Sequence, residues 1–369
     1  MCIRDRLRPY ASKTEQRFER GVACRLVKNR YQLLLWASHT GQDLSPVTIR
    51  RNPDQTSWRE HQRTTGLYRS SAELEGRNLA ARISGGFHLL YRHREFALGL
   101  MSGTERISLT QKGIELLGNN YLPLSHHTCS LHGSWLHGRW QLFGEVAADG
   151  SQSMACQVGS IIQFNDFLRA TFLAYHYGAK YRGSLPSSYG SGSQIKNEQG
   201  LAFHLHMEPD RWFVADFTGE FFHYPLPRYQ TLVPSDAYRI AFSLRNPGTK
   251  PMQWRIRIVS KNWQSTPKNE TTGIRSLKQS RVTRFDGRLL YESEQAVSWQ
   301  SRLLVSLLST DGKPVPAYAA LQQAKIRFAS FFHCSLQFVL FHVMDWENRI
   351  YLYEPGFYYS FSFPVFYGR

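Results

Sequence analysis

The chain has 369 residues and carries 45 Lys and Arg against 28 Asp and Glu, a formal charge of +17; this length accommodates two average domains or one large barrel. Aromatic residues make up 14% of it, as 19 Tyr, 23 Phe and 9 Trp, yet mean hydropathy is −0.41, which excludes a bundle of membrane helices and suits strands whose alternate residues are polar. The five cysteines, Cys2, Cys24, Cys129, Cys156 and Cys334, are odd in number, scattered and without a C-x-x-C pair, so neither a disulfide framework nor a zinc site is expected.

At the N-terminus there are charges but no apolar core of a signal peptide. Residues 1–6 (MCIRDR) read as a non-native leader, and 7–369 as one barrel domain truncated at both ends. A first strand covers 18–26, turns over 27–30 and returns over 31–39. The inserted loop 40–79 is polar and carries a short helix, with Ser70 as N-cap, Glu73 three residues on and Gly76 as the stop. It is a candidate to fold inward as a constriction, and a position outside is equally compatible. Next, Ile83, Gly85, Phe87, Leu89 and Tyr91 alternate with Arg82, Ser84, His88 and Arg92, turn at 93–94, and return through Phe96, Leu98 and Leu100. A second polar excursion is expected up to about residue 125.

Strand pairs follow near 127–137 and 139–147, then 154–163 and 166–177. After a Gly/Ser-rich loop, Leu201, Phe203, Leu205 and Met207 oppose His204, His206 and Glu208; Phe213, Ala215, Phe217 and Phe221 oppose Asp216, Thr218 and Glu220. The plainest hairpin lies at 236–262. Tyr238, Ile240, Phe242 and Leu244 alternate with Arg239, Ala241 and Ser243, Asn246-Pro247-Gly248 turns the chain, and Met252, Trp254, Ile256 and Ile258 alternate with Gln253, Arg255 and Arg257. Strands near 279–291 and 297–308 come next, then a loop at Pro314 and Pro316, strands near 316–327 and 331–342, and a last strand opening at 345–348 and running toward Phe363. The apolar run 328–344 is shorter than the roughly 20 residues a helical span needs and holds His333, Gln337 and His342, which reads as strand.

The pattern gives about seventeen visible strands. Short turns alternate with mostly longer loops, as in a barrel with periplasmic turns on one side and extracellular loops on the other; Greek-key crossings of a soluble sandwich would mix them. In hydrocarbon an unpaired backbone group costs several kcal/mol, so such a sheet must close. The fold class expected is all-β, a large antiparallel transmembrane β-barrel. Its size leaves a lumen that side chains cannot fill.

Several stretches resemble one family: GLYRSSAEL at 66–74, NEQGL at 197–201, FHYPLPRY at 222–229 and above all DWENRIYLYE at 345–354, followed by YYSFS at 358–362. They are similar to the large outer-membrane β-barrel proteins of Bacteroidetes-type bacteria known as helix-hairpin-helix domain-containing. The resemblance runs from about Arg17 onward, and the fixed order of acidic, aromatic and basic residues at 345–354 is its most specific part. It implies an outer-membrane location and a link to DNA binding or uptake through an N-terminal helix-hairpin-helix segment. That segment is absent from these residues, and the sequence stops at Gly368 and Arg369 where the family continues.

The charge of +17 implies attraction to polyanions, but the arginines are dispersed over strands and loops, which favours a solvated wall over a nucleic-acid groove. Arg255, Arg257, Arg284, Arg288 and Arg302 fall on polar strand faces, so a basic lumen wall that contacts anions is the sharpest inference; pairing of these charges with Asp286, Glu220 or loop acids is the competing one. His204, His206 and Glu208 have a spacing open to metal or acid–base chemistry, yet a polar face supplies such residues anyway, and His126, His127, His132 and His137 are equally unspecific. There is no G-x-S-x-G and no G-x-x-x-x-G-K-[ST]. No catalytic, cofactor or metal residue is assigned.

The leading expectation is therefore a non-enzymatic outer-membrane conduit or surface anchor whose partners are outer-membrane lipid, lipopolysaccharide and, through the absent segment, DNA. The alternatives are an outer-membrane enzyme acting on lipid or lipopolysaccharide, and a soluble β-rich polyanion-binding protein.

Overall fold

A computed structural model describes residues 19–45, 62–63, 68, 70–117, 124–181, 188–192, 196–209, 213–248, 251–267, 273, 275–293, 297–310, 313–329, 332–353 and 365–368. Sixteen strands form one antiparallel sheet in which every neighbour in space is also the neighbour in sequence, with no crossover among the described residues. Contacts divide the chain into two compact units.

The first unit comprises Met1–His137, Leu142–Val158 and Tyr177–Lys196. It holds β1 (Gly21–Lys28), β2 (Tyr31–Gln42), β3 (Ala80–His93), β4 (Phe96–Leu109), β5 (Leu124–His137), most of β6 (Trp140–Asp149) and the start of β7 (Met154–Asn165). Period-two patterning has the expected result. Ile83, Phe87 and Leu89 are exposed on one face of β3, whereas His88, on the other, is 5% exposed. The turns β1–β2 and β3–β4 each begin at positive φ, at Asn29 (53°) and Arg94 (50°). Between β2 and β3 lies α1 (Ser71–Glu75). Its capping box is complete: the Ser70 hydroxyl accepts from the Glu73 N–H, and the Glu73 carboxylate accepts from the Ser70 N–H. Of the loop 40–79, the candidate for an inward constriction, residues 46–61, 64–67 and 69 lie outside the described residues.

A polar excursion after Leu100 is not what forms. β4 continues to Leu109 and is followed by a helix, α2 (Gln111–Leu117). Alternation persists through this part of β4, but its polarity inverts: Met101 and Ile107 are buried while Ser102, Thr104 and Arg106 take the parity that Leu98 and Leu100 held. Here the strand has left its apolar belt, and its buried side meets Leu44, Leu79 and Ala80 at the base of the loops, with Leu116 and Leu117 of α2 beside them.

The second unit comprises Gly138–Gln141, Gly159–His176 and Asn197–Arg369. Its strands are β8 (Leu168–Tyr177), β9 (Glu198–Met207), β10 (Val214–Tyr224), β11 (Ser235–Arg245), β12 (Met252–Ser265), β13 (Lys278–Glu292), β14 (Val297–Thr310), β15 (Lys313–Ala329) and β16 (Phe332–Val343). The 236–262 hairpin forms in the expected parity, with Phe242 opposite Ile258 and Ser243 opposite Arg257. Pro314 and Pro316 are not in a loop but inside β15, opposite Ser309 and Leu307 of β14. Proline is tolerated there because β16 first pairs at Ala317, so the other edge of β15 at 313–316 needs no N–H for a ladder. The connections β6–β7 and β14–β15 are also short, unlike the others on their side of the sheet.

The largest departure follows β16. Instead of opening a long strand, residues 346–348 form a 3₁₀ turn (Trp346–Asn348) whose N-cap is Asp345, and β17 (Ile350–Tyr351) pairs with β18 (Val365–Phe366) in a separate two-stranded sheet; 354–364 lie outside the described residues. This strap packs Ile350 and Leu352 against Ala317, Ala319 and Leu321 of β15. Asn348 is fully buried, donates from Nδ2 to the Val315 carbonyl at 2.8 Å, and accepts from the Ser306 hydroxyl. The open edge of β15 thus finds its partner in a side chain rather than in a strand.

Candidate functional site: a cationic cavity beneath the strap

The register of β11 to β14 collects basic side chains on one face. Arg239 lies opposite Lys261, Arg257 opposite Asp286, and Arg255, Arg288 and Arg302 form one row across β12, β13 and β14. Arg284 lies opposite Ser306 in the same face. Because cross-strand partners on one side of an antiparallel pair are roughly 5 Å apart at Cβ, like charges are held close together by backbone geometry.

The acids on this face are already engaged. Asp286 accepts a bidentate fork from Arg302, Nε and Nη2 each at 2.9 Å, and Arg255 Nη2 stands 3.6 Å from its other side. Glu220, 2% exposed, is held by Arg239. Arg257 and Lys261 make no hydrogen bond or ion pair among the described residues, and Arg284 reaches only the neutral Ser306 hydroxyl, at 3.4 Å. The Nε atoms of Arg255 and Arg288 are buried without a hydrogen-bond partner.

A half-open cavity of about 260 Å³ is lined by Arg239, Arg257, Lys261, Arg284 and Arg302, with Asp286 as the one acid of the lining. Ile350 and Tyr351 of the strap close one side of it. All five arginines expected on a basic wall therefore share a face, three of them line the cavity, and pairing with Asp286 or Glu220 takes up only part of the charge. Arg239 and Lys261 complete the site. Both were legible by parity, Lys261 by carrying the Arg255–Arg257 alternation two steps further; the strap had no such signal.

The histidines do not assemble comparably. His204 Nε2 and His206 Nδ1 share one oxygen of Asp216, at 3.2 and 2.8 Å, with Glu208 3.4 Å from His206. No group of three or more His, Cys, Asp or Glu with metal-holding geometry occurs among the described residues. His132 stacks with His88, His127 meets Thr104 and His137 meets Glu95, so the β5 histidines serve separate contacts.

No family model and no curated protein sequence matches this chain. Among solved structures it is similar to the siderophore receptor PirA from Acinetobacter baumannii, with a TM-score of 0.44 and 8% identity. The match covers 86% of this chain, which spans 57% of the length of that one.

Proposed function

We propose that residues 7–369 belong to one outer-membrane β-barrel domain that acts as a non-enzymatic conduit or surface anchor, with lipid and lipopolysaccharide around it and the cationic face toward a wet lumen. One observation carries this reading. Each of the sixteen strands exposes at least one large apolar side chain, from Val22 (77%) on β1 through Phe172 on β8 to Leu336 (72%), Phe338 and Leu340 on β16. A soluble monomer rarely leaves contiguous apolar surface beyond a few hundred Å², whereas a sheet facing lipid gains by it.

Aromatics gather beside the short turns, as an interfacial girdle would. Tyr31 contacts Tyr91, Phe96 lies opposite Trp135, and Tyr291 lies opposite Trp299. A link to DNA handling through an upstream helix-hairpin-helix segment rests on the sequence resemblance alone. The test is refolding into detergent followed by gel electrophoresis with and without boiling, and by planar-bilayer recording. Heat-modifiable mobility and detergent-dependent recovery are expected; a urea-soluble monomer from the soluble fraction would overturn the reading.

A further inference from the structure

We infer that the cavity beneath the strap binds a small, multivalent oxyanion of the phosphoryl class, a substrate assignment that deepens the conduit reading and rests on it for access to dissolved solutes. The lining has five cations and one acid, and that acid is already committed to Arg302 by a two-point fork. Like charges whose strands fix them on one face repel, and more strongly where burial lowers the dielectric. A face that holds Arg257, Lys261 and Arg284 without carboxylate partners is therefore electrostatically uphill until an anion enters.

Ligand valence and shape follow from the same residues. Arginine forks match the oxygen spacing of phosphate and carboxylate, and the three cations left once Arg302 pairs with Asp286 and Arg239 with Glu220 favour a phosphoryl group carrying about two negative charges over a single carboxylate or a halide. A cavity of about 260 Å³ has room for several water volumes of about 30 Å³ each, enough for a phosphate or pyrophosphate. A duplex would not fit beneath Ile350 and Tyr351. Lipid phosphates would meet the opposite, apolar face, so the source favoured is a soluble phosphoryl compound.

The test uses the full chain refolded in zwitterionic micelles, each variant first checked for heat-modifiable mobility. Titration calorimetry with inorganic pyrophosphate at low salt is expected to show saturable binding. The double variant Arg257→Gln/Arg284→Gln weakens it at least tenfold, and Arg139→Gln, at a distant turn beside Asp166, leaves it unchanged. Micelles doped with diphosphoryl lipid A distinguish the sources: undiminished pyrophosphate binding keeps the soluble ligand, and competitive displacement transfers the site to a lipid headgroup. Heat-modifiable protein that ignores pyrophosphate, or that loses it equally on Arg139→Gln, overturns this inference and leaves the conduit reading standing. Protein without heat-modifiable mobility removes both.

Discussion

Asp286 sits where two demands conflict. It is 14% exposed, carries the Arg302 fork and lies near Arg255, so it holds the face together while also lowering the positive charge available to a ligand. Asp286→Asn leaves both guanidinium groups without a charged partner, at a cost of about 1–3 kcal/mol. It also removes the cavity's internal counter-charge. The urea midpoint should fall while pyrophosphate binds more tightly than to wild type; parallel loss of both would mean that Asp286 positions Arg302 for the ligand rather than competing with it. Asn348 has a simpler role, bonding the Val315 carbonyl and Ser306 from a fully buried position. In Asn348→Ala the open edge of β15 loses its partner, and the strap should loosen by about 1–3 kcal/mol, read as faster proteolysis within 345–353 at unchanged cleavage elsewhere.

At the scale of the element, strands were legible because two unlike environments imprint a period of two. Ile83 to Leu100, Leu201 to Phe221 and Tyr238 to Ile258 could be sorted by parity alone, and so could the arginine faces, since parity survives any error in the strand ends. What parity does not encode is where a strand leaves its apolar belt or what a third element covers. This explains why the inverted end of β4 read as loop, why Pro314 and Pro316 suggested a break, and why the strap read as strand, although its sequence was the most distinctive in the chain. Packing of a large ring over glycine was equally hidden. Gly86 faces Gly103 across β3 and β4 with the Trp36 indole above it, and a Cβ there would lie 2.2 Å from the Ser102 carbonyl and 2.6 Å from the ring. The Ser102 oxygen belongs to the ladder and cannot retreat like a flexible tip. Gly86→Ala should therefore destabilise by about 1–3 kcal/mol, seen as a lower melting temperature of the refolded protein, whereas Gly133→Ala, whose nearest neighbour would be 3.4 Å away, should be tolerated.

For the whole molecule, the decisive question is what solvent the exposed apolar face meets, and one substitution separates the two answers by sign and size. Leu303 is mid-strand on β14, 48% exposed, paired with Gly287 and Ala320. On a soluble surface Leu303→Arg would change stability by no more than about 0.5 kcal/mol, and it would improve solubility. Facing the middle of a bilayer, the same change costs about 2–4 kcal/mol, declining toward the interfaces. The comparison is best made in lipid vesicles with a partner variant near the girdle, Tyr291→Arg, on the neighbouring strand. A membrane barrel gives a large loss at Leu303 and a small one at Tyr291, because the cost follows depth. Equal and negligible effects at both positions would place this face in water and remove the conduit reading.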